Sequence, residues 1–319
     1  MSCILYLYSY GGMVVHYVSL TQRCNYRCCC CPCPHSGEDD DLTLDGIVRI
    51  FDNPSDDSKR RVTLSGGEPT IHKEFLPIMK FFAQENYDVT ILTNSSLLAS
   101  NDFLDKLNNC YPINRLHIIT TLYSVDPNQH DSETGVSGSF ANTIKAVQLL
   151  ASYGAKVTLK YCISAHNAAQ LYTFYHFLEN TFDASIQFQI CGIDYAGMSH
   201  EMARSMQISC AEIRHYLDPL LEEVTRRKLT NGNCRNISIA YLPLCASSPK
   251  YWDFFITKGS NLRVSYLSAR NYTYERQYNA RKGSSLCAGC VVYDECFGTY
   301  PSAFRVLGEQ YVSPFRNLE

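Results

Sequence analysis

The segment CNYRCCCCPCP, Cys24–Pro34, contains six cysteines among its eleven residues. It follows the run MVVHYVSLTQ at positions 13–22, whose β-branched and aromatic residues predict a strand that ends where the cysteines begin. A second group of cysteines, Cys287–Cys296, lies near the C-terminus, and the others are scattered. Neighbouring thiols such as Cys28 and Cys31 are poorly placed to pair with each other, so both groups indicate metal sites in a reducing compartment.

Composition is that of a globular protein. The chain has 319 residues, 45% of them hydrophobic, which is enough for one large domain or one domain with an appendage. The N-terminal run MSCILYLYSYGGMVV lacks the Lys and Arg of a signal peptide, and its apolar part is too short and interrupted to span a bilayer. We therefore expect a cytoplasmic protein without a membrane-spanning segment.

Charge is nearly balanced overall, with 28 Lys and Arg against 31 Asp and Glu, but it is uneven along the chain. Positions 214–282 carry 12 basic and 5 acidic residues, a local surplus of +7. Such a basic block suits an anionic partner, or it is simply a solvated face of the protein.

Predicted strands and helices alternate six times, which indicates βα units with a parallel sheet. The first three predicted strands end in the cysteine segment, in SGGEP at Ser65–Pro69 and in TNSS at Thr93–Ser96. Parallel βα folds carry their functional groups at the carboxyl ends of the strands, so these segments are expected to meet on one rim. The six predicted strands lie at 13–22, 60–67, 87–96, 115–124, 156–164 and 185–193.

The alternation stops after about Asn231. There the run RNISIAYLPLC, at positions 235–245, predicts a strand of a smaller domain that also contains CAGCVVYDEC, Cys287–Cys296. We therefore expect two domains, residues 1–230 and residues 231–319.

In the first cysteine segment, the spacing Cys24-x3-Cys28-x2-Cys31 selects three thiols. Three close thiolates on one loop can hold one face of a four-iron cluster. Zinc is the first alternative, but it takes four ligands, usually in two pairs, and this loop has too many thiols too close together. The remaining thiols of this segment are Cys29, Cys30 and Cys33. They are either small apolar loop residues or have a function of their own.

Taken in order, these motifs resemble those of the radical S-adenosylmethionine (SAM) superfamily. Cys24, Cys28 and Cys31 match its CxxxCxxC motif, SGGEP matches its GGE motif, TNSS is similar to its Thr-Asn-Gly, and positions 117–144 resemble its fourth-strand region. The match covers roughly residues 13–200. It implies an α/β fold, namely a partial (βα)6 TIM-type barrel with a small C-terminal auxiliary-cluster domain. It also implies a 4Fe–4S cluster whose fourth iron binds SAM, which is reductively cleaved to a 5′-deoxyadenosyl radical.

The resemblance also implies which residues contact SAM. Gly66, Gly67 and Glu68 approach its methionine amino group, because glycine allows close backbone approach and a carboxylate accepts a charge-assisted hydrogen bond. Four further residues are expected to contact the ribose or the carboxylate of SAM, with a packing role as the alternative for each. They are Asn94, Thr121, Ser124 and Lys160. For His130 and Asp131 we expect a hydrogen-bonding role in the rim loop rather than acid–base chemistry.

The second group, Cys287-x2-Cys290-x5-Cys296, resembles the C-terminal segment of radical SAM proteins with SPASM or twitch extensions, which hold an auxiliary 4Fe–4S cluster. The resemblance implies that these three cysteines are ligands of a second cluster, with zinc as the alternative. Cys245 is the expected fourth ligand and Cys234 the alternative. If neither binds, one iron of this cluster is open to substrate.

Small radical SAM proteins with this C-terminal pattern are frequently maturases of ribosomally made peptides. The resemblance therefore implies an enzyme that crosslinks or epimerises a precursor peptide, to which the basic block is suited. The alternative is a cyclase or rearrangement enzyme acting on a small molecule or nucleotide. A non-catalytic iron–sulfur carrier would not need the GGE motif. Expected partners are the precursor peptide, a separate leader-binding protein, and a reductant such as flavodoxin or ferredoxin.

Overall fold

The computed structural model of the protein describes residues 14–32, 41–51, 60–231, 234–256, 263–267, 274–277 and 285–317. The thiol of Cys33 lies outside these ranges.

All six strands predicted from the sequence are present, in the predicted order. They are followed by three further strands in the C-terminal part of the chain. The strands are β1 Val14–Thr21, β2 Arg61–Gly66, β3 Asp88–Leu92, β4 His117–Thr121, β5 Lys156–Cys162, β6 Gln187–Cys191, β7 Ile237–Ala240, β8 Arg263–Leu267 and β9 Tyr274–Gln277.

Helices follow the strands and cover the sheet. The long amphipathic ones were predicted, whereas the short helices α4, α7 and α9 were not. The helices are α1 Leu44–Phe51, α2 Phe75–Gln84, α3 Asn101–Cys110, α4 Pro127–Thr134, α5 Ser139–Ser152, α6 Leu171–Thr181, α7 His200–Ser205, α8 Cys210–Asn231 and α9 Pro301–Leu307.

The strands form one nine-stranded sheet in the order β7-β6-β5-β4-β3-β2-β1-β8-β9. From β7 to β8 all neighbours are parallel, and only the pair β8–β9 is antiparallel. Seven consecutive parallel strands in chain order, joined by helices, are the layout expected of a partial barrel.

The predicted location of one strand, the run at positions 235–245, was wrong. The run that was expected to belong to a smaller domain forms β7, which pairs in parallel with β6, Phe188 lying opposite Ile237 and Cys191 opposite Ala240. The apolar residues of this run are buried because they extend the main sheet by one strand. The division of the chain at residue 230 stays a prediction.

The helices pack on the sheet through one continuous apolar core. Val62 and Leu64 of β2 belong to it together with Ile78 and Phe82 of α2, and all four side chains are buried. Burying this face holds the helices in place and fixes the strand ends that carry the loops described next. Within the described ranges, none of the helices has the length and apolar character needed to cross a membrane.

Candidate active site and second thiol cluster

The first cysteine segment leaves the end of β1 as a loop that is fixed from two sides. On one side the main-chain N–H of Glu68 donates to the carbonyl of Arg23 (2.8 Å). On the other, the N–H of Arg27 and that of Cys29 donate to the carbonyls of Thr134 and Glu133 at the end of α4, each at 2.9 Å. The thiols therefore extend from a loop whose backbone is held by two other loops.

Gly66 and Gly67 allow this close packing of the loops. A Cβ on Gly67 would lie 2.1 Å from the carbonyl oxygen of Arg23. One on Gly66, whose φ is +131°, would lie 2.2 Å from that of Thr21. No side chain fits at either position, so the GGE glycines are needed where β2 meets the cysteine loop, whatever ligand they approach.

A cavity with an empty volume of about 790 Å³ opens at the carboxyl ends of β1–β5. Cys24, Cys28 and Cys31 line it, whereas Cys29 and Cys30 do not. The spacing that selected three thiols thus coincides with the three that share this cavity. The other lining residues are Tyr26, Pro32, Ser65, Gly66, Gly67, Glu68, Leu92, Thr93, Asn94, Ile119, Thr121, Tyr123, His130, Thr134 and Lys160.

Six of the seven residues expected to contact SAM line the cavity, and Ser124 does not. The Ser124 side chain is fully buried, where its hydroxyl donates to Gln170 Oε1 (2.8 Å) and accepts from the N–H of Asp126 (3.0 Å). Ser124 therefore forms hydrogen bonds within the chain, and its expected contact with SAM stays a prediction. Asp131 also has a local role, because it accepts from the N–H groups of Gly138 and Phe140 at the start of α5.

Glu68 is fully buried and is already an acceptor for its own chain. Its Oε1 accepts from Thr70 N–H (3.0 Å), Thr70 Oγ1 (2.6 Å) and Thr93 Oγ1 (2.6 Å), and its Oε2 accepts from Asn94 N–H (2.6 Å). Burial raises the pKa of this carboxyl, and the hydrogen bonds oppose that rise. Since each carboxylate oxygen has about two acceptor sites, Oε2 is the atom with room for a further donor such as an ammonium group.

Asn94 connects the third strand to the cysteine loop. Its side-chain amide donates to Asn25 Oδ1 (2.8 Å) and contacts Cys24 Sγ at 3.8 Å. The turn continues through Ser95, whose φ of +64° belongs to the left-handed region that glycine adopts most easily. This explains why glycine is usual in the motif that TNSS resembles, and why Ser95 is a departure from it.

The donor set of the cavity suits a cluster held by thiolates. Cys24 Sγ accepts from the N–H of Tyr26 (3.4 Å), the kind of contact that stabilises a thiolate. Burial raises the pKa of the Cys24 and Cys28 thiols, so metal binding there must displace protons.

Cys29 and Cys30, which do not line the cavity, belong to a polar network that the sequence did not reveal. Cys29 Sγ contacts the carboxylate of Glu133, whose other oxygen lies 3.0 Å from His166 Nδ1. Cys30 is buried beside Cys29. The residues of this network are far apart in sequence, so it could not be predicted. The only sequence signal in this region was the His130–Asp131 pair, which lies just before Glu133.

A second cavity, with an empty volume of about 400 Å³, gathers the other predicted cysteines. Cys245, Cys287, Cys290 and Cys296 all line it, and Cys234 does not. Cys296 Sγ accepts from the N–H groups of Leu244 and Gly298, each at 3.4 Å. The structure therefore brings the expected fourth thiol to the other three.

Comparison with known proteins agrees with this architecture. The family model of the radical SAM superfamily matches residues 18–178. The chain is 27% identical over 154 residues to the subtilosin biosynthesis protein AlbA of Bacillus subtilis, and 34% identical over 125 residues to a probable GTP 3′,8-cyclase of Thermococcus kodakarensis. These matches cover 48% and 38% of this chain, and only 34% and 38% of the respective relatives.

Among solved structures, SuiB of Streptococcus suis bound to SAM superposes with a TM-score of 0.62 at 16% identity. The superposition covers 89% of this chain and 72% of SuiB. This likeness confirms the α/β fold and is consistent with a partial barrel. The family match spans more than half of the residues, includes the cysteine loop and contains the strands that build the first cavity. The chain belongs to the radical SAM superfamily.

Proposed function

We propose that this radical SAM enzyme modifies a ribosomally synthesised peptide, by forming a crosslink or inverting a residue. The observation that carries the proposal is the presence of four thiols, rather than three, in the second cavity. A cluster with four thiol ligands has no open iron to which a small-molecule substrate could bind. AlbA is named for the biosynthesis of a bacteriocin, and SuiB is also known bound to its precursor peptide SuiA, with a TM-score of 0.56 and 16% identity. Both relatives support a peptide substrate.

The first cavity is the proposed SAM site. Cys24, Cys28 and Cys31 hold three irons of a 4Fe–4S cluster, and Glu68 Oε2 accepts from the amino group of SAM. When bound, the reduced cluster and SAM supply a 5′-deoxyadenosyl radical that removes a hydrogen atom from the substrate. The chain's own contribution is to fix the thiols on a rigid loop and to close the floor of the cavity with β1–β5.

The second cavity is proposed to hold an auxiliary 4Fe–4S cluster of SPASM or twitch type. Among the described residues, no group of three or more His, Cys, Asp or Glu side chains is arranged to hold a single metal ion. The spacing Cys287-x2-Cys290-x5-Cys296 resembles that of SPASM and twitch segments and supports a cluster, with zinc as the alternative. With four thiols on it, this cluster has no open iron for substrate and serves electron transfer or structure.

A nucleotide is the second candidate substrate, because GTP 3′,8-cyclases are among the similar proteins. The charge of the first cavity argues against it. Lys160 is the single Lys or Arg among the described residues that line this cavity. A nucleoside triphosphate is usually held by several cationic groups. One ammonium group suits SAM, which carries one carboxylate, better than SAM and a triphosphate together.

The substrate proposal is tested with the anaerobically reconstituted enzyme, a strong reductant and SAM. We expect a short peptide encoded beside the gene to change mass or to take up deuterium from deuterated water, with formation of 5′-deoxyadenosine. GTP, supplied in parallel, should be recovered unchanged. Conversion of GTP with no change in the peptide would replace the proposal by the cyclase alternative. A reductant such as flavodoxin or ferredoxin, and a leader-binding protein for the peptide, are proposed as the natural partners.

Replacing Cys245 by alanine tests the auxiliary site. The variant should lose part or all of the auxiliary cluster, so that iron content falls from about eight atoms towards four, because one of its four thiolate ligands is removed. SAM cleavage without substrate should persist, since the first cavity is untouched. Cys234→Ala is the matched control and should keep its full iron content and absorption spectrum. Unchanged iron and product in Cys245→Ala would show that Cys245 is merely a buried residue.

A further inference from the structure

Two buried hydrogen-bonding atoms belong to residues lining the first cavity and have no partner in the described part of the chain. They are the hydroxyl of Tyr26 and Nε2 of His130. Tyr26 is 3% exposed and His130 is 0% exposed. Most buried polar atoms in folded proteins are paired, so two unpaired atoms on residues that line the cavity indicate a partner that the described part of the chain does not supply.

The hydrogen bond to the other ring nitrogen fixes which atom of His130 carries a proton. The main-chain N–H of Tyr123 donates to Nδ1 (3.2 Å), so Nδ1 has no proton of its own. Burial lowers the pKa of His130 to about 4 against the opposing charge of Asp131, so the ring is neutral at pH 7. Nε2 is then the protonated nitrogen and a donor. The rings of Tyr123 and Phe140 lie beside the imidazole, each with centroids 5.8 Å away, and keep its orientation.

Tyr26 is likewise a donor. It stands in the cysteine loop between Cys24 and Cys28, and its own N–H is used by Cys24 Sγ. A tyrosine hydroxyl carries its proton at neutral pH and can donate it. The cavity wall thus has two neutral donors, Tyr26 Oη–H and His130 Nε2–H.

We propose that Tyr26 Oη–H and His130 Nε2–H donate hydrogen bonds to neutral acceptor atoms of bound SAM, namely ribose oxygens or adenine nitrogens. This inference rests on the proposed SAM site. SAM is chosen over the substrate because both residues line the same cavity as the three thiols that would hold the cluster to which SAM binds. The charged groups have other uses: Lys160 suits the carboxylate of SAM, and Glu68 suits its amino group. Neutral donors suit the uncharged part of the ligand.

Two substitutions remove the donors with little other change. Tyr26→Phe removes only the hydroxyl. His130→Asn keeps an acceptor near the position of Nδ1 for the Tyr123 N–H and removes the donor at Nε2. Tyr175→Phe is the matched control, because Tyr175 also has a buried hydroxyl without a partner in the described ranges but does not line the cavity.

We expect the affinity for SAM, measured by equilibrium dialysis without substrate, to fall about tenfold in Tyr26→Phe and in His130→Asn, the effect of one hydrogen bond. Tyr175→Phe should bind SAM as the unmodified protein does. Iron content and the spectrum of the reduced cluster without SAM should be unchanged in all three variants, which separates loss of a donor from damage to the cluster loop.

Several results would overturn the inference. Unchanged SAM affinity in both cavity variants would show that the donors serve another ligand. The same conclusion would follow if only substrate turnover fell. If affinity were lost only together with iron, both residues would be structural. If the unmodified protein neither bound nor cleaved SAM, the proposed function itself would fail, an outcome distinct from variants that behave like the unmodified protein.

Discussion

Replacement of Cys24, Cys28 and Cys31 together by alanine is expected to abolish SAM cleavage and to remove about half of the roughly eight irons, because one of two four-iron clusters loses all its protein ligands. The three thiols line one cavity at the carboxyl ends of the strands, and the loop that carries them is held by backbone hydrogen bonds on both sides. The loop can therefore keep its shape when the thiols are gone. The measurements are iron per chain and 5′-deoxyadenosine formed under strong reductant.

The neighbouring thiol Cys30 provides the matched control. It lies in the same loop and is buried, but it does not line the cavity. Cys30→Ala should keep both clusters and cleave SAM, with at most a small loss of stability from the cavity it leaves. Cleavage retained by the triple variant, or lost equally in Cys30→Ala, would mean that the spacing of the motif does not identify the ligands.

The convergence of motifs at the first cavity could be predicted from the sequence because each motif is a short, continuous segment. Each motif lies at the end of a strand, and parallel strands bring their carboxyl ends to one edge whatever the details of packing. The glycines of the GGE motif and the thiols of the cysteine loop could therefore be placed from chain order alone. Ser124 does not line the cavity, and its hydroxyl donates to Gln170, a contact across 46 residues that chain order could not predict.

Contacts between distant segments could not be predicted. The Glu133–His166 contact beside Cys29 joins helix α4 to the turn after β5, and neither residue belongs to a motif. The donors of Tyr26 and His130, which have no partner among the described residues, can be identified only from the full set of hydrogen bonds in the structure. Local patterns specify strands and caps, whereas these pairings depend on which helices the core brings together.

The basic block at positions 214–282 shows the same limit of sequence reasoning. The sequence suggested an anionic partner for it, but several of its cations are used within the chain. Arg214 donates to the carbonyl of Cys245 (2.6 Å) and stacks on Phe315, and Lys228 lies over the ring of Phe254 at 4.4 Å. The local surplus of positive charge is therefore used in part for contacts within the chain. It supports an acidic peptide substrate less strongly than the sequence implied.

Arg235 is the clearest member of this block with an internal role. It is 1% exposed, and its guanidinium donates to the carbonyls of Leu178 (3.0 Å), Phe182 (2.9 Å), Asp183 (3.0 Å) and Ile186. It also donates to the carboxylate of Glu179 (2.8 Å). These carbonyls belong to the end of α6 and the turn after it, where helical partners run out. All five donors of the guanidinium are therefore used.

Replacing Arg235 by leucine is expected to lower the free energy of unfolding by about 3–5 kcal/mol, because several buried carbonyls and a partly buried carboxylate lose their donor. Arg227→Leu is the control: Arg227 also pairs with Glu179, at 3.6 Å, but is 30% exposed. Its loss should cost less than that of Arg235, although Arg227 also pairs with Glu223 and lies over the ring of Tyr175, because its guanidinium stays partly in water. Urea unfolding of the cluster-loaded proteins measures both changes. Because Arg235 lies two residues before β7, which leads to Cys245, its loss should also weaken the auxiliary cluster more than the first. Equal destabilisation by the two variants would mean that water replaces the guanidinium at the end of α6.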